Sequence, residues 1–154
     1  AICAPGIPRC LRHDFRQLEL LGEYATTLAG LPMSMHADFI RNTEADNGLD
    51  TAWSAGVQLG RAGDPGTWEV GYVYQHIGKD ALFGQFIDSD FAGGNTDARG
   101  SILRAGYAPA RNWRLNLTYF LNDTGIDVPA EVAGIGPVLE RDYRRLQVDM
   151  NFRF

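Results

Sequence analysis

The stretch RLQVDMNFRF (145–154) carries the reading of the fold. In it Leu146, Val148, Met150, Phe152 and Phe154 alternate with Arg145, Gln147, Asp149, Asn151 and Arg153. Side chains of an extended strand point to opposite faces in turn, so this alternation predicts a strand with one apolar and one polar face. The same rhythm appears earlier in the chain. Trp113, Leu115, Leu117, Tyr119 and Leu121 alternate with Arg114, Asn116, Thr118, Phe120 and Asn122. Trp68, Val70, Tyr72 and Tyr74 alternate with Glu69, Gly71, Val73 and Gln75. Weaker versions fill 17–28, 33–40, 52–61 and 99–108, which brings the expected total to seven strands. Each runs to about 9–12 residues, close to what a tilted strand needs to cross a bilayer.

The connections between strands add a second regularity. Residues 29–32, 62–66 and 109–112 read as short turns, whereas 42–50, 79–96 and 123–142 are long and polar or glycine-rich. Short and long alternate, so in an antiparallel meander all tight turns fall at one end and all long loops at the other. Pro32, Pro65, Pro109, Pro129 and Pro137 are all expected in connections, where a missing N–H breaks no ladder. Residues 1–14 show no period and are left unassigned; the remainder, 15–154, reads as one unit.

Composition narrows the class. A net charge of -5 with a single lysine, Lys79, excludes a basic nucleic-acid footprint. No run approaches the roughly 20 apolar residues of a membrane-spanning helix. That leaves barrels open, because alternating strands average to unremarkable hydropathy. Cys3 and Cys10 are close enough in sequence for a small disulfide loop but do not decide the redox compartment. The chain opens without a charged, then apolar, leader, as expected of a mature form or a fragment.

Three features favour a membrane barrel over a soluble sheet. Aromatics gather near strand ends, with Trp68, Trp113, Phe152 and Phe154 by the short turns and Phe39, Trp53, Tyr74, Tyr119 and Tyr143 toward the long loops. Two interfacial girdles belong in those places. The alternate face is rich in Gly, Ser, Asn, Gln and Arg, as a wet lumen requires. Loops sorted by length match short periplasmic turns and longer extracellular loops. The expected fold class is therefore all-β, an antiparallel up-and-down meander forming part of a transmembrane β-barrel.

Several stretches carry a family resemblance: DSDFAGGNTDARG (88–100), YAPARNWRLNLTY (107–119) and DYRRLQVDMNFRF (142–154), with WEVGYVY (68–74) and Lys79-Asp80-Ala81. Together they resemble the "putative porin" family of Gram-negative outer-membrane barrels, over 15–154. The resemblance implies a bacterial outer-membrane location, contact with its lipid, and passive diffusion of small hydrophilic solutes or ions. It also implies a barrel longer than these strands, and a terminal aromatic signal, Phe152 and Phe154, read by the barrel-assembly machinery.

The lumen face is expected to carry Glu19, Glu23, His36, Asp38, Glu69, Arg104, Arg114, Arg145, Asp149 and Arg153. Charges on a channel wall bias which ions pass, and Glu23, Asp38, Glu69, Arg104, Arg114, Arg145, Asp149 and Arg153 are the pore-lining candidates. With a turn centred at Ala110, Arg104 falls opposite Asn116 and Leu103 opposite Leu117. The plainer reading is that these charges hold each other in wall networks. Ser34, His36 and Asp38 share a face but stand about 7 Å apart in parallel, which does not make a triad. Asp88, Asp90, Asn95 and Asp97 around Gly93-Gly94 have a calcium-like look, but the spacing is broken and no Glu closes it. A polar loop, or one folded inward to narrow the pore, is the other reading of 79–96. No cofactor or catalytic residue is expected. The alternatives are a non-conducting structural or adhesive barrel and, weakest, a barrel-embedded hydrolase.

Counting back seven strands from a periplasmic Phe154 places Phe15 on the long-loop side. Single-chain bacterial barrels have even strand numbers and periplasmic termini. The first and last strands are therefore expected to need partners, either strands preceding Phe15 or another chain. The topology is open to test on intact cells. An impermeant thiol reagent should label Gly84→Cys, Gly94→Cys and Gly134→Cys variants and spare Gly63→Cys and Arg111→Cys; the reverse pattern inverts the topology.

Overall fold

The computed structural model describes residues 14–127 and 141–153. Cys3, Cys10, Pro129, Pro137, Phe154 and most of the 123–142 connection lie outside the described residues. Seven strands form one sheet: β1 (Gln17–Leu28), β2 (Leu31–Asn42), β3 (Thr51–Gly60), β4 (Trp68–Ile77), β5 (Ala98–Ala110), β6 (Trp113–Thr124) and β7 (Arg141–Phe152). Their order in space is their order in sequence, every neighbouring pair is antiparallel, and β1 and β7 are not paired with each other. The sheet is an open meander of the kind that forms part of a larger barrel. Two short 3-10 turns in the β4–β5 connection are the helical elements among the described residues.

Directly opposed residues share a face, so the registers allow rows to be followed across the sheet. One row runs Tyr24, Met35, Val57, Tyr72, Leu103, Tyr119, Leu146, and the next Thr26, Met33, Leu59, Val70, Ala105, Leu117, Val148. This outer face is apolar and unpartnered: Leu146 is 60% exposed and Val148 70%. Toward the short turns it carries Trp68 opposite Tyr107, and Trp113 against Phe152 in an edge-to-face contact at 4.7 Å. Toward the long loops, Trp53 pairs with Phe39 and lies 5.5 Å from the Tyr74 ring. Beyond it the outer face turns charged, with Arg99 opposite Asp123. Tyr143 departs from the expected girdle: it lies on the inner face, packed beside Phe120 and its neighbours.

The turns explain two further departures. The β1–β2 hairpin closes on Ala29 (φ 52) and Gly30 (φ 81), both left-handed as a two-residue primed turn demands. Strand β2 therefore starts at Leu31 and takes in Pro32, opposite Thr27, rather than leaving it in a connection. Leu28 and Leu31 close the turn as a hydrogen-bonded pair, so at Pro32 the backbone nitrogen points away from β1. On that side the β2–β3 ladder has already ended at Met33 and Leu59, and the missing N–H costs nothing. Pro109 also belongs to a strand, within the irregularity of β5 between Tyr107 and Ala110.

That irregularity corrects the register expected for Arg104. The turn is Arg111-Asn112, with Ala110 opposite Trp113, and one extra residue of β5 is absorbed before Tyr107 pairs with Leu115. Arg104 consequently faces Thr118, and Leu103 faces Tyr119. The displacement is two residues, an even number, so every side chain keeps its expected face. The connection 61–67 is nearly as long as 43–50, so the sorting of loops by length rests chiefly on 78–97 and 125–140. Residues 61–67 nonetheless behave as a turn: Gly66 donates to the Ala108 carbonyl at 2.7 Å and Ala108 to that of Thr67 at 3.0 Å.

Faces of opposite character predict unequal responses to charge. Leu117→Arg on the outer face is expected to cost about 2–4 kcal/mol in a lipid bilayer, whereas Asn116→Arg on the inner face should cost far less. Urea titrations in vesicles measure both, and equal costs would mean that the faces are misassigned.

Candidate functional site: the inner face and its strap

Nine of the ten expected lumen residues lie in strands and share the inner face, and Arg153 directly follows β7. Glu23 and His36 stand in one row with Arg145, while Glu69 and Asp149 stand in another with Asn116. What sequence reasoning missed is that half of this face is dry. Ala52, Ile77, Ala98, Ile102 and Phe120 form an apolar patch at the long-loop end, flanked by Ile40 and Val73. Their parity is that of the polar face, and the signal was available in Val73, Ile77, Ile102 and Phe120 standing where Ser or Asn was expected.

The β4–β5 connection covers the patch. Phe91 (0% exposed), Ala81 and Ala92 pack into it, with Leu82 and Ile87 at the margin. A buried Phe of this kind removes about 150–250 Å² from water. Polar anchors hold both ends of the loop. Asn42, fully buried, donates to the carbonyls of Asp80 (2.9 Å) and Asp14 (3.1 Å) and accepts from the Arg16 N–H (3.0 Å) and Glu44 N–H (3.2 Å). Asn47 donates to the Asp80 carboxylate at 2.6 Å. On the β1 side, Gln17 reaches the Ala81 carbonyl at 3.4 Å and Phe15 meets the Phe83 ring at 5.6 Å. On the β7 side, Asp90 takes Arg145 at 2.8 Å and Gln147 at 2.7 Å. Six strand spacings of about 4.8 Å separate β1 from β7, and one loop is fastened to both. It is a strap across the inner face.

These contacts show the 79–96 segment folded inward over the inner face. Asp90 is engaged by β7, the Asp88 carboxylate caps the Asp90 N–H (2.9 Å), Asn95 donates to the Ala92 carbonyl (2.7 Å) and Asp97 accepts from the Asp127 N–H (2.9 Å). Among the described residues no three potential metal ligands of the His, Cys, Asp and Glu types converge. Asp88, Asp90 and Asp97 each lend a carboxylate oxygen to fastening the loop, and Asn95 lends its amide nitrogen.

The pore-lining candidates sort into paired and unpaired charges. Glu69 crosses Gly106, whose missing side chain leaves room for it: a Cβ there would come within 2.8 Å of Glu69 Cγ. It thereby reaches Arg114, and its other oxygen accepts from the Ala62 N–H at 3.0 Å. Arg114 also donates to Asn116 at 2.8 Å. With Arg145 held by Asp90, three of the eight candidates follow the wall-network reading, since Glu69 and Arg114 pair with each other. Arg104, Glu23 and Asp149 are exposed and form no ion pair among the described residues. Asp38 has one buried oxygen without a hydrogen-bond partner, at an 80 Å³ recess shared with Ser54, Gln75 and Leu82. Arg153 is tied to the Asn112 carbonyl through its backbone N–H at 3.0 Å. The structure does not bring Ser34, His36 and Asp38 together as a catalytic group; the His36 ring lies across Gly56 instead.

An open antiparallel meander with an apolar outer face, a polar inner face and an inward strap is consistent with part of the wall of a larger β-barrel. The chain belongs to the "putative porin" family, whose model matches residues 10–154. No curated protein and no solved structure matches the chain.

The strap's two kinds of anchor can be separated. Phe91→Ala should cost the docked loop about 3–5 kcal/mol by emptying its socket, whereas Phe86→Ala, 74% exposed, should change little. Limited proteolysis of the folded protein should then cut within 82–97 in the first variant only. Equal resistance in both would mean that Phe91 does not seat the loop.

Proposed function

We propose that the chain forms part of an outer-membrane porin through which small hydrophilic solutes and ions diffuse passively. The observation that carries this reading is the strap: a loop drawn from the sheet's middle, anchored at both margins on the polar face. A loop fastened there narrows a lumen without closing it, while the short-turn half of the face stays open. The apolar outer face, which hydrocarbon would cover, fits the same reading. The free edges of β1 and β7 pair with further strands of the same protein or of another chain, because hydrocarbon cannot solvate unpaired N–H and C=O groups. Phe152, seated on Trp113, and Phe154 are the signal for the barrel-assembly machinery. Catalysis plays no part in this reading.

Protein extracted from outer membranes and placed in planar bilayers should give discrete conductance steps. Loosening the strap with Asp90→Ala should enlarge or destabilise them. A silent bilayer with correctly assembled protein would favour the non-conducting surface barrel.

A further inference from the structure

The two halves of the inner face differ in charge as well as in filling. The strap end is acidic, with Asp80, Asp88, Asp90 and Asp97 on the loop itself. The short-turn end is basic. There a recess of 630 Å³ is lined by Arg61, Arg111, Arg114 and Arg153, together with Asn116 and Asn151, and by no carboxylate among the described residues. A second recess of 430 Å³ adjoins it, sharing Arg61 and Arg114, with Gln58 and Ser34 on its wall. Glu69 enters this second recess, but its oxygens are taken by Arg114 and the Ala62 N–H. The other nearby acids do not line either recess: Asp64 sits in the 61–67 turn and Asp149 beside Asn116 on β7. Among the described residues the side chains of Arg61, Arg111 and Arg153 make no hydrogen bond or ion pair. Three arginines without an ion-pair partner among the described residues thus line one recess, in a chain whose net charge is -5.

We propose that this recess binds small oxyanions, solutes bearing a carboxylate or phosphate-type group, at the short-turn mouth of the channel. The inference rests on the porin reading for its place in transport, though not for binding itself. Each guanidinium offers a planar fork of donors that matches two anionic oxygens and stays charged at any relevant pH. Like charges held around a concave wall focus the field and concentrate counter-ions there. The recess has the size of a small-molecule site. Arg61 is the hinge of the arrangement because it borders both recesses, and Arg114 is its positioning neighbour, already fixed by Glu69 and Asn116. The sequence supports this placement: Arg61 directly follows β3 and Arg111 occupies the β5–β6 turn, so two separate turns deliver their charge to one site.

The same chemistry is offered by a free anion in the lumen and by a phospholipid headgroup at the rim. Titration calorimetry with inorganic phosphate on the barrel purified in non-ionic detergent tests binding without requiring conduction. Saturable binding is expected, at least tenfold weaker in the Arg61→Gln/Arg111→Gln variant and unchanged in Arg144→Gln on the outer face. The Arg61→Lys/Arg111→Lys variant should retain most of it, and heat-modifiable gel migration checks that every variant is folded. No saturable binding, or equal binding in the wild type and the double Gln variant, overturns the proposal. Phosphatidylglycerol bicelles that block phosphate binding completely would assign the site to the headgroup and overturn it as a solute site. Conductance steps without phosphate binding would sink this proposal alone, whereas phosphate binding in a silent barrel would sink the porin reading alone.

Discussion

Six antiparallel registers keep seven strands in phase, and the rest of the molecule depends on that phase. Because side chains alternate with period two, a slip of one residue in any pair would exchange the two faces of every strand beyond it. Tyr24, Tyr72 and Leu146 would then stand among Glu23, Val73 and Arg145. The one irregularity, in β5 at Tyr107–Ala110, sits at the very end of its ladder. An extra residue there is absorbed by Ala108 pairing with the 61–67 turn, and the face assignment of everything from Tyr107 back to Ala98 is untouched. The position of the bulge is what makes it harmless.

Given that phase, the inner face has to solve a problem of its own. A polar wall gives a loop little reason to stay, since surface ion pairs contribute only about 0–1 kcal/mol. The chain supplies an apolar socket instead, Ile77, Ile102 and Phe120 around Phe91, and burying a side chain of that size contributes about 1.5–3 kcal/mol. The polar anchors then set direction. Asn42 meets four backbone partners and leaves none of its amide capacity wasted. Asp90 faces both Arg145 and Gln147 across the width of the sheet. Apolar burial holds the strap down and hydrogen bonds say where.

Strand number, order and faces were legible because alternation is a local property: RLQVDMNFRF states its two faces without reference to any neighbour. Register was less so. It depends on where a turn closes, and Pro109 reads as a turn residue whether it sits in the turn or in a bulge beside it. The site was legible in part. The candidate charges within the strands fall on one face of the sheet, but pairing was not visible, since Glu69 and Arg114 meet only when β4 and β6 come within reach across Gly106. An inward-folded loop was foreseen as one alternative and could not be chosen, because the Asp and Asn side chains that suggested calcium serve equally well as loop fasteners. Phe120 and Ile102 were in plain view as apolar residues of the wrong parity. Read as noise in a polar face, they are the socket.

A charge on a channel wall acts on a passing solute only to the extent that the wall has not already neutralised it. By that measure the residues that look most important from sequence are not equivalent. Arg145 and Glu69 are committed to Asp90 and Arg114, and their fields are largely local. Arg104, exposed and opposite Gly71 and Thr118, keeps its charge available just beyond the rim of the strap's socket. It stands between a dry half and a wet one. Ile102 lies two residues before it on the same face and Gly106 two residues after, so the step from filled to open wall falls at Arg104. On the proposed porin reading, a solute leaving the narrow half would meet its first unneutralised cation there. That position, more than the number of charges on the wall, gives Arg104 its weight.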